Sequence, residues 1–316
     1  MSRYPFDDYA KQYLASVRGV LAEETWLTRE RRYRRMSRDV ISLKEAGKIS
    51  SASPKTLTVE DIRVYLMNHR QSVSAADMVH EVNCLRKLCE YCGNFNVALC
   101  VAKYPEVRPV VRRNRLPSME PEYYDMILQK ALKTDPSDFR LYQAYTMVLL
   151  TVCTGCRNKE LRNIELNDLD TTKWMLDIIH VKGEDSYGHP RSVPVHPEIR
   201  SIVLSYIILR QKYMLDNGFD SPFLFVSKSS ATKGHSSNSV RNMKHLVEND
   251  LGLILDMRQL RRTFGQRLLD HGVPIESVSV LMGHSTTKTT EEFYARRRMI
   301  AAQKDMENLW NSDVTE

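Results

Sequence analysis

The chain of 316 residues has room for one large domain or two medium ones, and its 42% hydrophobic and 27% charged residues suit a globular protein that buries a core. Lys and Arg outnumber Asp and Glu by 46 to 39, a formal charge of +7 with an isoelectric point near 9.0, which points to a polyanionic partner without requiring one. No apolar run approaches the roughly 20 residues of a membrane span, and M-S-R-Y-P-F-D-D lacks the apolar core of a signal peptide, so the expectation is a cytoplasmic protein with no membrane partner.

Residues 1–103 read as helices. Glu24 to Leu43 is strongly helix-forming and very basic. Thr58 is a good N-cap with Asp61 as its capping partner, and Ile62, Tyr65 and Leu66 follow at helical spacing. Ala75 to Tyr91 places Met78, Val79, Val82, Leu85, Leu88 and Cys89 on one side, and Gly93 ends it. No strand-like alternation intervenes, which predicts a compact bundle of four or five helices. Six cysteines include two C-x-x-C pairs, Cys89/Cys92 and Cys153/Cys156. Such pairs can build a zinc site, but each lies in an apolar, helix-like stretch rather than on a Gly-rich knuckle, so buried thiols and no metal are expected.

The composition changes over 104–120. Tyr104 to Pro121 holds four prolines (Pro105, Pro109, Pro117, Pro121) and four arginines, Arg108, Arg112, Arg113 and Arg115, within 18 residues. Proline removes backbone donors and resists helix, so a basic extended linker is expected, its arginines either solvated or laid along a phosphate backbone. A second domain is expected over 121–316. Helices are predicted over Glu122–Lys133, Arg140–Thr154 and Asn158–Leu161. A hairpin follows, with strands over Trp174–His180 and Arg191–Val195 around G-E-D-S-Y-G-H-P. Pro197–Asp216 reads as helix and Phe223–Val226 as a short strand. After a polar loop, helices return from Val240 to the end.

Four strings in this second domain carry chemistry. T-G-C-R-N-K-E-L holds Arg157 and, three residues on, Glu160; V-K-G-E-D holds Lys182; R-Q-L-R-R-T-F holds Arg258 and Arg261; L-M-G-H-S-T-T-K-T-T-E-E-F-Y holds His284 and Tyr294. Singly, each has an ordinary reading: a surface arginine, a solvated hairpin lysine, a histidine capping a helix that ends at Gly283, one tyrosine among 15. In this order and with these gaps they resemble the catalytic domain of the tyrosine recombinases, the phage-integrase and Xer family. The resemblance is strong over 149–296 and loose over 9–99.

That resemblance implies a fold that is mainly α with a small antiparallel β-sheet. An N-terminal helical core-binding (SAM-like) domain and a C-terminal mixed α/β catalytic domain would form a C-shaped clamp on DNA. It implies strand cleavage and rejoining through a covalent 3′-phosphotyrosyl intermediate, with no cofactor. Cations must then come from side chains, and arginine suits a phosphate because its planar fork holds two oxygens and stays charged. Arg157 takes the place of the first catalytic arginine, with Glu160 as its support, and Arg261 that of the second. Lys182 matches the hairpin lysine that protonates the departing 5′ oxygen, and His284 the residue that contacts the scissile phosphate. Tyr294, ten residues after His284, is the implied nucleophile; Phe293, at nine, has no hydroxyl. Arg258 departs from the pattern, which usually has His there. Arginine is no general base at neutral pH, so Arg258 can clamp charge or lower the Tyr294 pKa but leaves the base open.

In the N-terminal domain, R-E-R-R-Y-R-R-M-S-R sets Arg31, Arg35 and Arg38 on one helix face, and its six arginines would repel one another without an anion. The implied partner is double-stranded DNA with short inverted core sites, held mainly through its phosphates. The implied assembly is a monomer or dimer when free and a homotetramer on DNA, joined through the helix after Tyr294, and the implied location is the nucleoid. The outcome would be integration or excision of a mobile element, or resolution of chromosome or plasmid multimers. A non-cleaving DNA-binding relative and a type IB topoisomerase-like enzyme are the alternatives.

Overall fold

The computed structural model describes residues 4–110, 117–181, 189–284, 286–287, 290–291 and 306. Lys182, Tyr294, Arg112, Arg113 and Arg115 lie outside the described residues, as does the helix expected after Tyr294 apart from Met306. The chain divides into two compact units, Met1–Asn114 and Arg115–Glu316.

The first unit contains α1 (Pro5–Ser16), α2 (Glu23–Glu45), α3 (Val59–Arg70), α4 (Ala75–Tyr91) and α5 (Asn96–Lys103). Proline opens α1, where its missing N–H costs nothing. A capping box starts α3: the Asp61 amide donates to Thr58 Oγ1 at 3.1 Å, and the Thr58 amide donates to the Asp61 carboxylate at 3.0 Å. On α2 the buried stripe is Tyr33, Met36, Ser37, Val40 and Leu43, which recurs every three to four residues as one helix face must. It packs with Phe6, Leu14, Ile62, Leu66, Leu85, Leu88, Cys89 and Cys100 into one core. The cysteines are free thiols, and burial pushes Cys89 up to about 12.

The anion that the arginine-rich helix needs is internal. Glu81 of α4 is fully buried and accepts from Arg32 Nη1 at 2.7 Å, from Arg35 Nη2 and from the Tyr65 hydroxyl. Arg31 and Arg38 are exposed, whereas Arg35 is half-buried against Glu81, Asp39 and His69. The first residues of the segment expected to be an extended linker pack on the first unit. Pro105–Val107 forms a 3-10 turn whose Val107 is buried in the first core, and Arg108 Nε donates back to the Val101 carbonyl at 2.9 Å.

The second unit is built on α6 (Pro121–Leu132), α7 (Phe139–Thr154), α8 (Asn158–Asn163), β1 (Leu169–Asp170), β2 (Met175–Ile178), β3 (Arg191–Pro194), α9 (Arg200–Asn217), α10 (Ser237–Leu251), α11 (Met257–Asp270) and α12 (Ile275–Leu281). Every residue of α7 from Tyr142 to Thr154 is buried, so this helix is the axis around which the others pack. The strands form an antiparallel sheet in the order β1-β2-β3, with Leu176 opposite Val193 and Ile178 opposite Arg191.

The strand expected over Phe223–Val226 is not one. These residues are largely buried, but only a single bridge, Glu165 to Phe223, relates them to another segment. Beyond the Leu224 amide, which donates to the Ile164 carbonyl at 2.8 Å, side chains take up much of their backbone pairing. The buried Arg210 guanidinium donates to the carbonyls of Ser221, Phe223 and Leu224, and Gln143 Oε1 accepts the Val226 amide at 2.9 Å. A ladder is one way to pair buried backbone; a buried guanidinium with five donors is another.

Helix α7 ends at Gly155, which has φ +65°. A Cβ there would collide with the Phe264 ring, so both the left-handed backbone and the close approach of α11 require glycine. Gly155→Ala is expected to destabilise the fold by on the order of 1–3 kcal/mol, measured as a lower midpoint in chemical denaturation with an unchanged slope.

Candidate active site

The Gly155 turn aims the chain into α8 so that Arg157 is its N-cap residue. Glu160, one helical turn on, reaches back: its Oε2 accepts the Arg157 amide at 2.7 Å and its Oε1 accepts Arg157 Nη1 at 2.7 Å. The carboxylate is fully buried and meets two further guanidinium groups. Arg191, heading β3, donates from Nη2 to Oε2 at 2.8 Å and from Nη1 to Oε1 at 3.3 Å. Arg261, on α11, brings Nη1 to 3.8 Å from Oε2. Burial alone would raise the Glu160 pKa, but the Arg191 hydrogen bond and charge, followed by those of Arg157, hold it at about 2.

A second set of acceptors fixes the same arginines. Helix α12 ends in a Schellman turn: the His284 amide donates to the Ser279 carbonyl at 3.0 Å, the Gly283 amide to the Val280 carbonyl at 2.8 Å, and Gly283 has φ +60°. The carbonyls of Leu281, Met282 and Gly283 stand at this helix end. Arg191 Nε donates to the first at 2.7 Å, Arg261 Nη2 to the second and Arg157 Nη2 to the third at 2.9 Å. Arg261 Nη1 also donates to the Gly155 carbonyl. Each guanidinium thus sits where the negative end of a helix favours a cation.

The result is one buried carboxylate faced by three guanidinium groups. Burial, then the charge of Arg157, pushes the Arg261 guanidinium down from its ordinary value. Arg157 and Arg261 open onto a cleft of about 430 Å³ lined also by Asn158, Met257, Arg258 and His284. His284 is tied by its Nδ1 to Thr290 Oγ1 at 2.8 Å. Burial first, then Arg261 and Arg157, lowers its pKa to about 4, so its ring is neutral at pH 7. A neutral imidazole offers one N–H donor and no added charge.

The structure therefore gathers Arg157, Glu160, Arg261 and His284 in one place. Arg258 stands apart from the Glu160 network. Its side chain is 83% exposed on the rim of the cleft and is paired with Asp256, which caps α11 and accepts the Arg258 amide at 2.7 Å. The Asp256 hydrogen bond and charge raise the Arg258 pKa, which keeps it cationic. The sequence reading missed Arg191. Its one available signal is an arginine heading a strand on the same face as the buried Val193 and opposite the buried Ile178, where a buried charge demands a counter-charge.

The sequence profile of the phage integrase family matches residues 118–299, more than half of the chain and all of the region that builds this cluster. The chain belongs to the phage integrase family. Tyrosine recombinase XerC of Pseudomonas fluorescens is 27% identical over 262 residues, covering 82% of each chain. Tyrosine recombinase XerA of Pyrococcus furiosus is 28% identical over 146 residues, and the match spans only 47% of its length. Among solved structures, the Tn1549 transposon integrase in complex with transposon right end DNA superposes with a TM-score of 0.65 at 17% identity, covering 95% of this chain and 99% of that one. XerH bound to its difH substrate gives 0.62 at 14% identity, covering 96% and 97%. Both share this fold.

Since the Glu160 carboxylate is depressed in the folded state, its contribution is complete above its unfolded pKa near 4.5 and is lost as the pH falls toward 2. Glu160→Gln is expected to cost on the order of 3 kcal/mol at pH 7. Thermal unfolding at stepped pH should show that deficit shrinking below about pH 4.5.

Proposed function

We propose that this protein is a site-specific DNA strand transferase in which Tyr294 is the nucleophile. The observation that carries the reading is the charge balance of the cleft: three guanidinium groups share one carboxylate, and the two that open outward have donors and charge to spare for a phosphate. The phenolate oxygen of Tyr294 attacks the scissile phosphorus, the bond to the 5′ oxygen breaks, and a 3′-phosphotyrosyl ester forms. A 5′ hydroxyl from the partner strand reverses the step. Bond energy is retained in the ester.

Arg157 and Arg261 hold the non-bridging oxygens as charge builds on them, and Glu160 aims Arg157. His284, neutral, donates a ring N–H to the phosphate. Lys182 gives its proton to the departing 5′ oxygen, a step worth about 10²–10⁴-fold in rate. Arg258 adds positive charge at the cleft mouth and takes no proton. Arg31 and Arg38, with Arg108, Arg112, Arg113 and Arg115, contact the DNA backbone; Arg35 contributes only by leaving Glu81. The DNA partner carries short inverted core sites, and the active species is a homotetramer assembled through the segment after Tyr294, at the nucleoid. Homology to XerC supports this reading, as do likenesses to integrases and recombinases solved on DNA.

The deciding experiment incubates wild type and Tyr294→Phe, in EDTA, with nicked suicide duplexes from the DNA flanking the gene. A covalent adduct on denaturing gels in wild type alone is expected; an adduct in the variant would remove Tyr294 as nucleophile, and salt-sensitive binding without any adduct on a broad duplex library would leave a non-cleaving relative. Arg261→Ala is expected to slow adduct formation by ~10²–10³-fold while binding weakens far less. Lys182→Ala should be rescued on a duplex with a bridging 5′ thiolate, and an equal defect on both substrates would remove its acid role.

A further inference from the structure

We infer that Arg191 is the positioning residue of the active site, a latch that locks Glu160 to the Leu281–His284 turn so that the carboxylate and the turn together fix the Arg157 guanidinium at the cleft. This rests on the strand-transfer reading above.

Arg191 is the most enclosed of the three arginines, with a side chain 5% exposed, and it lies behind the cleft rather than on its wall. Its planar fork is spent inward instead: two nitrogens on the two Glu160 oxygens at 2.8 and 3.3 Å, and Nε on the Leu281 carbonyl at 2.7 Å. The turn is closed tightly over it. A Cβ on Gly283 would stand 2.6 Å from Arg191 Nη1 and 3.0 Å from Cζ, so the turn follows wherever this guanidinium sits. Three elements distant in sequence, α8, β3 and the end of α12, meet on one side chain.

The consequence is electrostatic as well as steric. The groups facing Glu160 are Arg157 on α8, Arg191 on β3, Arg261 on α11, the Cys156 thiol and the neutral His284 ring. Among the groups that keep the buried carboxylate ionised, Arg191 comes first, ahead of Arg157. Without it, Glu160 keeps only Arg157 within close hydrogen-bonding range, and the turn that holds the other nitrogen of the Arg157 guanidinium loses its tie to the carboxylate. Lysine cannot replace the latch, because a single ammonium cannot span both carboxylate oxygens and the turn carbonyl in one plane.

The test compares wild type, Arg191→Gln, Arg191→Lys, Glu160→Gln and the Arg191→Gln/Glu160→Gln double variant in single-turnover cleavage and in DNA affinity. Arg191→Gln is expected to bind duplex within about threefold of wild type but to cleave ~10²-fold more slowly, the usual effect of misplacing a catalytic group by an ångström. Arg191→Lys should restore folding without restoring that rate. The double variant should cleave no more slowly than the worse single variant, because both changes break one unit. Without DNA, the melting temperature deficit of Arg191→Gln should narrow as the pH falls from 7 to 4, since Glu160 can then fold protonated, and that narrowing should vanish when position 160 is Gln. Wild-type cleavage by Arg191→Gln, multiplied defects in the double variant, or affinity lost in step with rate would each overturn the latch. Failure of wild type to form any adduct would overturn the strand-transfer reading alone, and the melting series would still decide whether Arg191 governs Glu160.

Discussion

A carboxylate buried among three guanidinium groups is the constraint on which the catalytic unit is organised. A lone charge in a protein interior is untenable, and a pair only roughly breaks even. Here the imbalance runs the other way: Glu160 is over-supplied with cations, and its ionisation is secured at the cost of crowding Arg157, Arg191 and Arg261. Crowded like charges in a low-dielectric pocket are relieved by an anion from outside. The cluster thus carries a surplus of positive charge before any ligand arrives, and the crowding that makes it receptive to an anion is borne by the fold.

Two glycines make the crowding possible. Gly155 ends α7 in a left-handed turn that lets Phe264 and Arg261 come close, and its own carbonyl accepts from Arg261. Gly283 ends α12 the same way and bares three consecutive carbonyls, one for each arginine. Backbone dipoles at a helix terminus do not move or titrate, so the arginines are indexed to the main chain and not only to one another. A cluster held by side chains alone would trade partners; this one has a fixed seat for each member.

Much of this was legible in the sequence, and the parts that were not share a cause. Arg157, Glu160, Arg261 and His284 sit in short strings whose meaning is local: a turn, a helix start, a helix end. Arg191 says nothing by itself, because its partners lie 31 positions back at Glu160 and 90 ahead at Leu281. The same distance hid Glu81, whose pairing with Arg35 spans 46 positions and turns part of an apparent DNA-facing ridge inward. Phe223–Val226 has the β-branched and aromatic character of a strand, but one bridge to the 164–166 segment and side chains from α9 and α7 pair its backbone in place of a ladder. Arg258 aligned with a catalytic position, yet alignment fixes a place on the helix and not what the side chain faces; Asp256 decides that.

The internal pairing at Glu81 bears on how the first unit would sense ionic conditions. Binding to a duplex gains entropy when side chains displace cations condensed on the phosphates, and only charges free to approach the backbone contribute. Arg32 and Arg35 are already paired within the fold, both with Glu81 and Arg35 with Asp39 as well. The arginine count of α2 therefore overstates its electrostatic reach. To the extent that this helix meets DNA, the number of ions it releases is set by Arg31, Arg38 and their exposed neighbours, and the helix binds as a moderately charged rod rather than a densely charged one.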